Sequence, residues 1–193
     1  MTATEGFKRH GDHSYVATFS ESEKEVLLNL CEQIIELLAE RVDSANDDPL
    51  AAMVGITSHD TPPEDEVLKR LLPNAYADAT DASEFRRYTE ATLRGKKQAH
   101  AVSMRIHIKS AVDGVIDLDH KEANNWLGAI NDIRLALGVR LKVEVNTSED
   151  LELLAPDDPM RGVYAVYGWL GWLQESLLDA LLDDATDDEE TEQ

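Results

Sequence analysis

The sequence predicts a mainly α protein, a helical bundle around one long central helix with a small antiparallel β element. Three observations lead there. From Asp81 to about Val112, thirty-odd residues keep helical spacing without a proline. Two further stretches, starting near Ser20 and Asp158, place leucines and other apolar residues three and four apart, as one buried helix face requires. And two short segments, FKRHGDHSYVATF and VRLKVEV, alternate with the period of two that a strand demands.

Taken in order, residues 7 to 19 read as a β-hairpin with Gly11 and Asp12 in the turn, where glycine tolerates the positive φ of tight hairpins. Ser20 followed by Glu23 has capping-box spacing and opens a helix to about Val42, with Leu27, Leu30, Cys31, Ile34, Leu37 and Leu38 on one face. Residues 43 to 62 read as a linker, with one helical turn at Leu50 to Val54. Pro62 and Pro63 precede a short helix that ends at Pro73. Asp81 and Glu84 are expected to cap the long helix. Asp119 and Glu122 open the next helix, with Gly138 as its left-handed terminator. Residues 139 to 145 then read as a strand pairing with the hairpin. Asn146 and Glu149 are placed to cap a short helix through Leu154, and the last helix runs from about 160 to 182. Gly168 and Gly171 within it suggest close packing. Residues 1–182 thus form one globular domain, and the tail from 183 to 193, with seven acids and no base, is expected to be disordered.

The chain has 193 residues and a formal net charge of -21, which disfavours a phosphate-neutralising surface and hence direct DNA binding. No apolar run reaches the ~20 residues that span a bilayer. MTATEGFKRHGDHSY lacks a signal-peptide core, so the expected location is cytoplasmic. The single cysteine, Cys31, excludes an intramolecular disulfide and sits on an apolar helix face, the place of a small buried hydrophobe.

The long helix holds seven of the 18 Lys and Arg residues. Phe85, Tyr88, Thr92, Gly95, Ala99, Val102 and Ile106 recur along it in alternating steps of three and four, a narrow seam suited to helix packing. Arg86, Glu90, Arg94, Lys97, Arg105 and Lys109 line a different face. Two readings follow: internal ion pairs with acids of neighbouring helices, or a docking face for an acidic partner.

Catalytic signals are missing from the sequence. His100 and His107 stand two turns apart, ~10 Å along the axis, too far to share one ion directly. His10 and His13 flank the hairpin turn. There is no G-x-S-x-G, no glycine-rich phosphate loop and no cysteine pair. No enzyme activity, cofactor or metal is expected.

RLLPNAY at 70 to 76, EFRRYTEATLRGKK at 84 to 97 and YAVYGWLGWLQESLL at 164 to 178 resemble an actinobacterial family of unknown function. The opening F-x-R of the hairpin and the E-x-x-x-L-L-x-L helix from Glu23 to Leu30 fit the same pattern. The family includes oxidation-sensing transcriptional regulators of the AosR type, thought to act with a stress sigma factor and RNA polymerase through a switch made by two nearby cysteines. The resemblance implies a regulatory protein working by protein–protein contacts, RNA polymerase or a sigma factor being the implied partner. Arg86, Arg87, Arg94, Lys96, Lys97 and Arg105 are the expected docking residues, and Cys31 is the sole candidate for redox chemistry. With one cysteine, the paired-thiol switch does not carry over. Two alternatives remain: a binding protein or enzyme for an anionic small molecule on the basic face, and a structural homodimer formed through the seam.

Overall fold

The computed structural model describes residues 5–11, 13–39, 60–143, 155 and 157–191, with side chains through Asp183. Its elements are β1 (Glu5–Arg9), β2 (Tyr15–Thr18), α1 (Glu21–Ala39), α2 (Glu66–Leu71), α3 (Ala79–Ser110), β3 (Val115–Leu118), α4 (His120–Leu141) and α5 (Met160–Thr191). The fold is mainly α with a small antiparallel sheet, as expected. The three strands lie in the order β1-β2-β3, with Tyr15 opposite Leu118 and Ala17 opposite Ile116.

The core lies where the sheet meets the helices. Phe7, Tyr15, Ala17 and Phe19 leave the sheet on one side, and Trp126 of α4 is fully buried among them. The Phe7 ring meets Trp126 edge-on at 5.4 Å, and Phe19 stacks on it at 6.0 Å. Leu27, Cys31, Ile34 and Leu38 from α1, Met104 and Ile108 from α3, Ile130 and Ile133 from α4, and Leu170, Leu173 and Leu177 from α5 complete one cluster. β1 rests against α5, and the Phe7 N–H donates to Ser176 Oγ at 3.0 Å.

Local signals explain most helix starts. The Glu23 carboxylate accepts from the Ser20 N–H at 2.7 Å, ahead of α1. Asp119 and Glu122 form the reciprocal capping box of α4. The long helix starts earlier than expected. Asp78, not Asp81, is its cap, accepting from the backbone N–H of Thr80 and Asp81.

The third strand is a correction. Residues 139 to 141 do not form a strand; they finish α4, whose end is a left-handed Lys142 at φ 52°. The Val143 N–H donates to the Gly138 carbonyl at 2.9 Å, so Gly138 lies inside the last turn instead of ending it. The period-two run is also compatible with Leu137 and Leu141 at a helical i, i+4 spacing, and both are buried. The true third strand follows Val112-Asp113-Gly114-Val115, a turn with φ of 52° at Asp113 and 77° at Gly114. A Cβ on Gly114 would stand 2.1 Å from the Phe19 carbonyl oxygen, so only glycine fits.

α5 continues to Thr191, past the expected end at 182 and into the segment expected to be disordered. Of the two glycines expected to allow close packing, Gly171 lies against Arg134 and Gly168 faces open space. Residues 43–59 of the expected linker, with its helical turn at 50–54, and the short helix at 146–154 lie outside the described residues. No helix among the described residues is long and apolar enough to cross a membrane.

Candidate functional site: the two faces of the central helix

α3 is turned the opposite way from what its seam suggests. Ala82, Arg86, Glu90, Arg94, Ala101, Met104 and Ile108 form its buried stripe. In the C-terminal half that stripe is an ordinary apolar face. In the N-terminal half it is three charges in a row, one turn apart.

Glu90 sits between two arginines. Its carboxylate accepts from Arg94 Nη2 at 3.0 Å and from Arg86 Nη1 on the other oxygen. Burial pushes the Glu90 carboxyl upward, but the hydrogen bonds and charges of Arg94 and Arg86 outweigh it and hold the group below its ordinary range. Each arginine also closes a distant piece of chain. Arg86 Nη2 donates to the Leu72 carbonyl at 3.0 Å and to Asn74 Oδ1 at 2.7 Å, fixing the segment after α2. Arg94 Nη1 donates to the Leu38 carbonyl at 2.9 Å, fixing the end of α1. Both carbonyls lie at the end of a described helical segment, and guanidinium is the side chain with enough fixed donors to serve both them and the acid.

Lys97 continues the pattern toward α4, donating to the buried Asp132 at 2.5 Å. His100, one turn on, lies against Gly128, where a Cβ would stand 2.2 Å from Nδ1. Burial pushes the His100 imidazole below its ordinary value, with Asp132 opposing and Lys96 and Lys97 reinforcing the shift. A third link between α3 and α4 gave no signal in the sequence. The Trp126 indole N–H donates to His107 Nδ1 at 3.0 Å, and His107 Nε2 stands 3.2 Å from Glu122. With Nδ1 accepting, the ring proton belongs on Nε2, facing the carboxylate.

The six expected docking residues therefore separate. Arg86 and Arg94 are buried in the ion triad, and Lys97 is largely covered by its pairing with Asp132. Arg105 is half-buried, and its charge acts on the Cys31 thiol. Arg87 and Lys96 are exposed.

The seam faces outward. Phe85 is 42% exposed, Tyr88 52% and Ile106 56%, and Thr92, Gly95 and Ala99 near the middle of the helix are exposed too. Tyr76 packs edge-on against Phe85 at 5.4 Å and extends the apolar surface. Beside it lies a groove of about 500 Å³ lined by Leu72, Pro73, Phe85, Tyr88, Leu93 and Lys96, with Arg86 and Glu90 also reaching it.

Cys31 is fully buried, and burial pushes its thiol up to about 12, only partly offset by Arg105. Reactive thiols are exposed and held as thiolates, so this environment is that of an inert structural cysteine. Among the described residues no group of three or more His, Cys, Asp or Glu side chains is placed to hold a metal ion.

Comparison with known proteins adds a family. "Oxidative stress regulator AosR" of Mycobacterium tuberculosis and of Mycobacterium bovis are each 33% identical over 177 residues, covering 83% of this chain and 78% of the relative. "Putative oxidative stress regulator AosR" of Mycobacterium leprae is 32% identical over 172 residues, covering 81% and 77%. No solved structure matches the chain. The family described as "Domain of unknown function (DUF2017)" matches residues 1–181, which is the whole sheet, the central helix and all but the end of α5, and the chain belongs to that family.

Proposed function

We propose that the chain is a non-enzymatic regulatory protein of the oxidative stress response, acting at transcription through contacts with another protein. The observation that carries this is its 33% identity, over 83% of its length, to relatives named oxidative stress regulators. RNA polymerase or a sigma factor is the partner that this reading favours. The docking surface would be the outward side of α3, where Arg87 and Lys96 are exposed next to aromatic residues. Arg86 and Arg94 then serve the surface indirectly, by fixing the helix that presents it. Redox chemistry, if the chain senses oxidant at all, would not start at Cys31, whose thiol is covered and held protonated.

The test is capture from a native host, scored for RNA polymerase subunits and sigma factors, with wild-type protein and an Arg87→Glu/Lys96→Glu variant whose fold is checked by circular dichroism. Recovery of those partners by the wild type, and their loss with the folded variant, supports the reading. Equal recovery by both moves the docking surface elsewhere. Failure of the wild type to recover either class of partner overturns the proposed partner.

A further inference from the structure

The seam of α3 carries the exposed Phe85, Tyr88 and Ile106, and its order of residues has a direction. Its N-terminal end carries the bulky side chains, Phe85 and Tyr88. Its middle carries small ones, Thr92, Gly95 and Ala99, and its far end carries Val102 and Ile106. A Cβ built on Gly95 meets nothing within 4 Å, so the approach to the middle is open. The acids and bases are also unevenly spread. Exposed Asp78, Asp81 and Glu84 lie at the start with the exposed Arg87, while the later half carries the exposed Lys96 and Lys109 and the half-buried Arg105.

We propose that this seam pairs with the same seam of a second copy of the chain, the two α3 helices running antiparallel. Heptad seams pack side chains from one helix into the spaces between four residues of the other. In antiparallel order Phe85 falls opposite Val102 of the second copy, Tyr88 opposite Ala99, and Thr92 opposite Gly95. Phe85 and Tyr88 then each meet a small or medium residue, Ile106 lies beyond the paired stretch at the level of Asp81, and the two-fold axis repeats every contact. The same alignment puts Glu84 on the flank facing Arg105, and Asp78 and Asp81 at the end occupied by Lys109. Lys109 also pairs with Glu32 of its own chain, at 3.4 Å and largely in water, a contact weak enough to be shared.

A parallel pair is disfavoured by the same residues. It would stack Tyr88 on Tyr88, leave Gly95 facing Gly95, and align Asp81 with Asp81 and Lys109 with Lys109, like charges that repel. The net charge of -21 makes two copies repel at a distance, so association is expected to strengthen with added salt. The inference stands apart from the transcriptional reading but uses the same side of α3, so a partner docking beside Phe85 and Tyr88 would compete with the second copy.

Light scattering of the full chain over a dilution series is the first measurement, with a dimer expected that dissociates on dilution. Tyr88→Glu is expected to give a folded monomer, because the side chain is exposed and its loss leaves the core intact. Leu182→Glu, an exposed change on α5, is expected to leave the dimer unchanged. Direction is read by cross-linking. The only native cysteine is buried, so introduced thiols are the reactive ones. A mixture of Phe85→Cys and Val102→Cys chains is expected to form a heterodisulfide under mild oxidation, while neither variant cross-links to itself. Self-linking of Phe85→Cys would establish the parallel pair and overturn the proposal. So would a monomer at every concentration. A monomer in which a Gly95→Cys thiol is slow to react also overturns it, and assigns the cover to another part of the same chain.

Discussion

Glu90 and Arg94 meet at 3.0 Å in a place where the carboxylate is almost completely removed from water. Arg86 reaches the same carboxylate from the other side. Replacing an entire buried ion group by apolar residues is often neutral, but removing one member leaves the others charged and unpaired, at a cost of ~3–5 kcal/mol. Glu90→Gln is therefore expected to lower unfolding stability by several kcal/mol in a urea titration, and Glu90→Ala by more. Substitution of the exposed Glu84 should change little.

Acid should weaken the protein in a way that traces to the same residue. The Glu90 carboxyl is held below its ordinary 4.5 in the fold. Its contribution is thus complete above pH ~4.5 and lost as pH falls through the depressed folded value, because the unfolded chain takes up the proton first. Thermal melts from pH 6 downward are expected to show a steep acid limb. In Glu90→Gln, from a lower starting point, that limb should be shallower.

His100 adds a second, milder pH dependence. Burial holds its imidazole below the ordinary 6.5, so between pH 6.5 and the folded value the unfolded chain binds a proton that the folded one refuses. Stability should fall as pH drops from 8 through 6. His100→Leu should flatten that part of the profile, and comparison of melting temperatures at the two ends would measure it.

Gly128 tests how tightly the ring is held. In a helix, Gly→Ala normally stabilises by ~1 kcal/mol. Here the new Cβ would lie 2.2 Å from His100 Nδ1 and 3.2 Å from its Cγ, so the whole ring must move. Gly128→Ala is expected to destabilise by ~1–3 kcal/mol, the usual cost of overpacking. In a His100→Ala background the sign should reverse. A stabilising Gly128→Ala in the wild-type background would show that the ring has room to turn.

Cys31 should resist thiol reagents. With its thiol pushed up to about 12, the thiolate at neutral pH is a few thousandfold scarcer than for an ordinary cysteine of pKa ~8.5. Labelling by a disulfide reagent is expected to occur only on unfolding and to follow the urea transition. Rapid labelling of the native protein would refute this.

Short local signals carried much of the fold. Ser20 with Glu23, and Asp119 with Glu122, mark helix starts because capping depends on residues three apart. The Tyr15, Ala17 and Phe19 alternation gave the second strand for the same reason. Where two periods competed over a few residues, as from Val139 to Val145, the choice rested on packing of Leu137 and Leu141 against distant chain. The Asp113-Gly114 turn that specifies the third strand went unread, although an Asp-Gly pair is a hairpin signal.

The orientation of α3 was less legible. Its seam of Phe85, Tyr88 and Ile106 has the pattern of a buried face, and the stripe of Arg86, Glu90 and Arg94 that of a wet one. The buried arginines meet the carbonyls of Leu72 and Leu38, the latter far from α3 in sequence, and no local pattern announces those contacts. The ion pairs of Arg86 and Arg94 were recoverable from the i, i+4 spacing around Glu90, although not their burial, whereas the pairing of Lys97 with Asp132 on α4 had no local signal. The link from Trp126 to His107 had no local signature, because hydrogen bonds between separate helices leave none.

The contact between the Phe7 N–H and Ser176 has a consequence for the order of events during synthesis. The β1–β2 hairpin is made long before α5, and among the described residues the side of β1 that carries this N–H is covered by α5. Until then Gly6 and Phe7 present bare backbone, an edge open to wrong partners. The hairpin must wait through some 150 residues for its neighbour, and such long-range closure is slow. A nascent chain halted before Met160 should accordingly bind a holdase chaperone, and release should coincide with the appearance of α5.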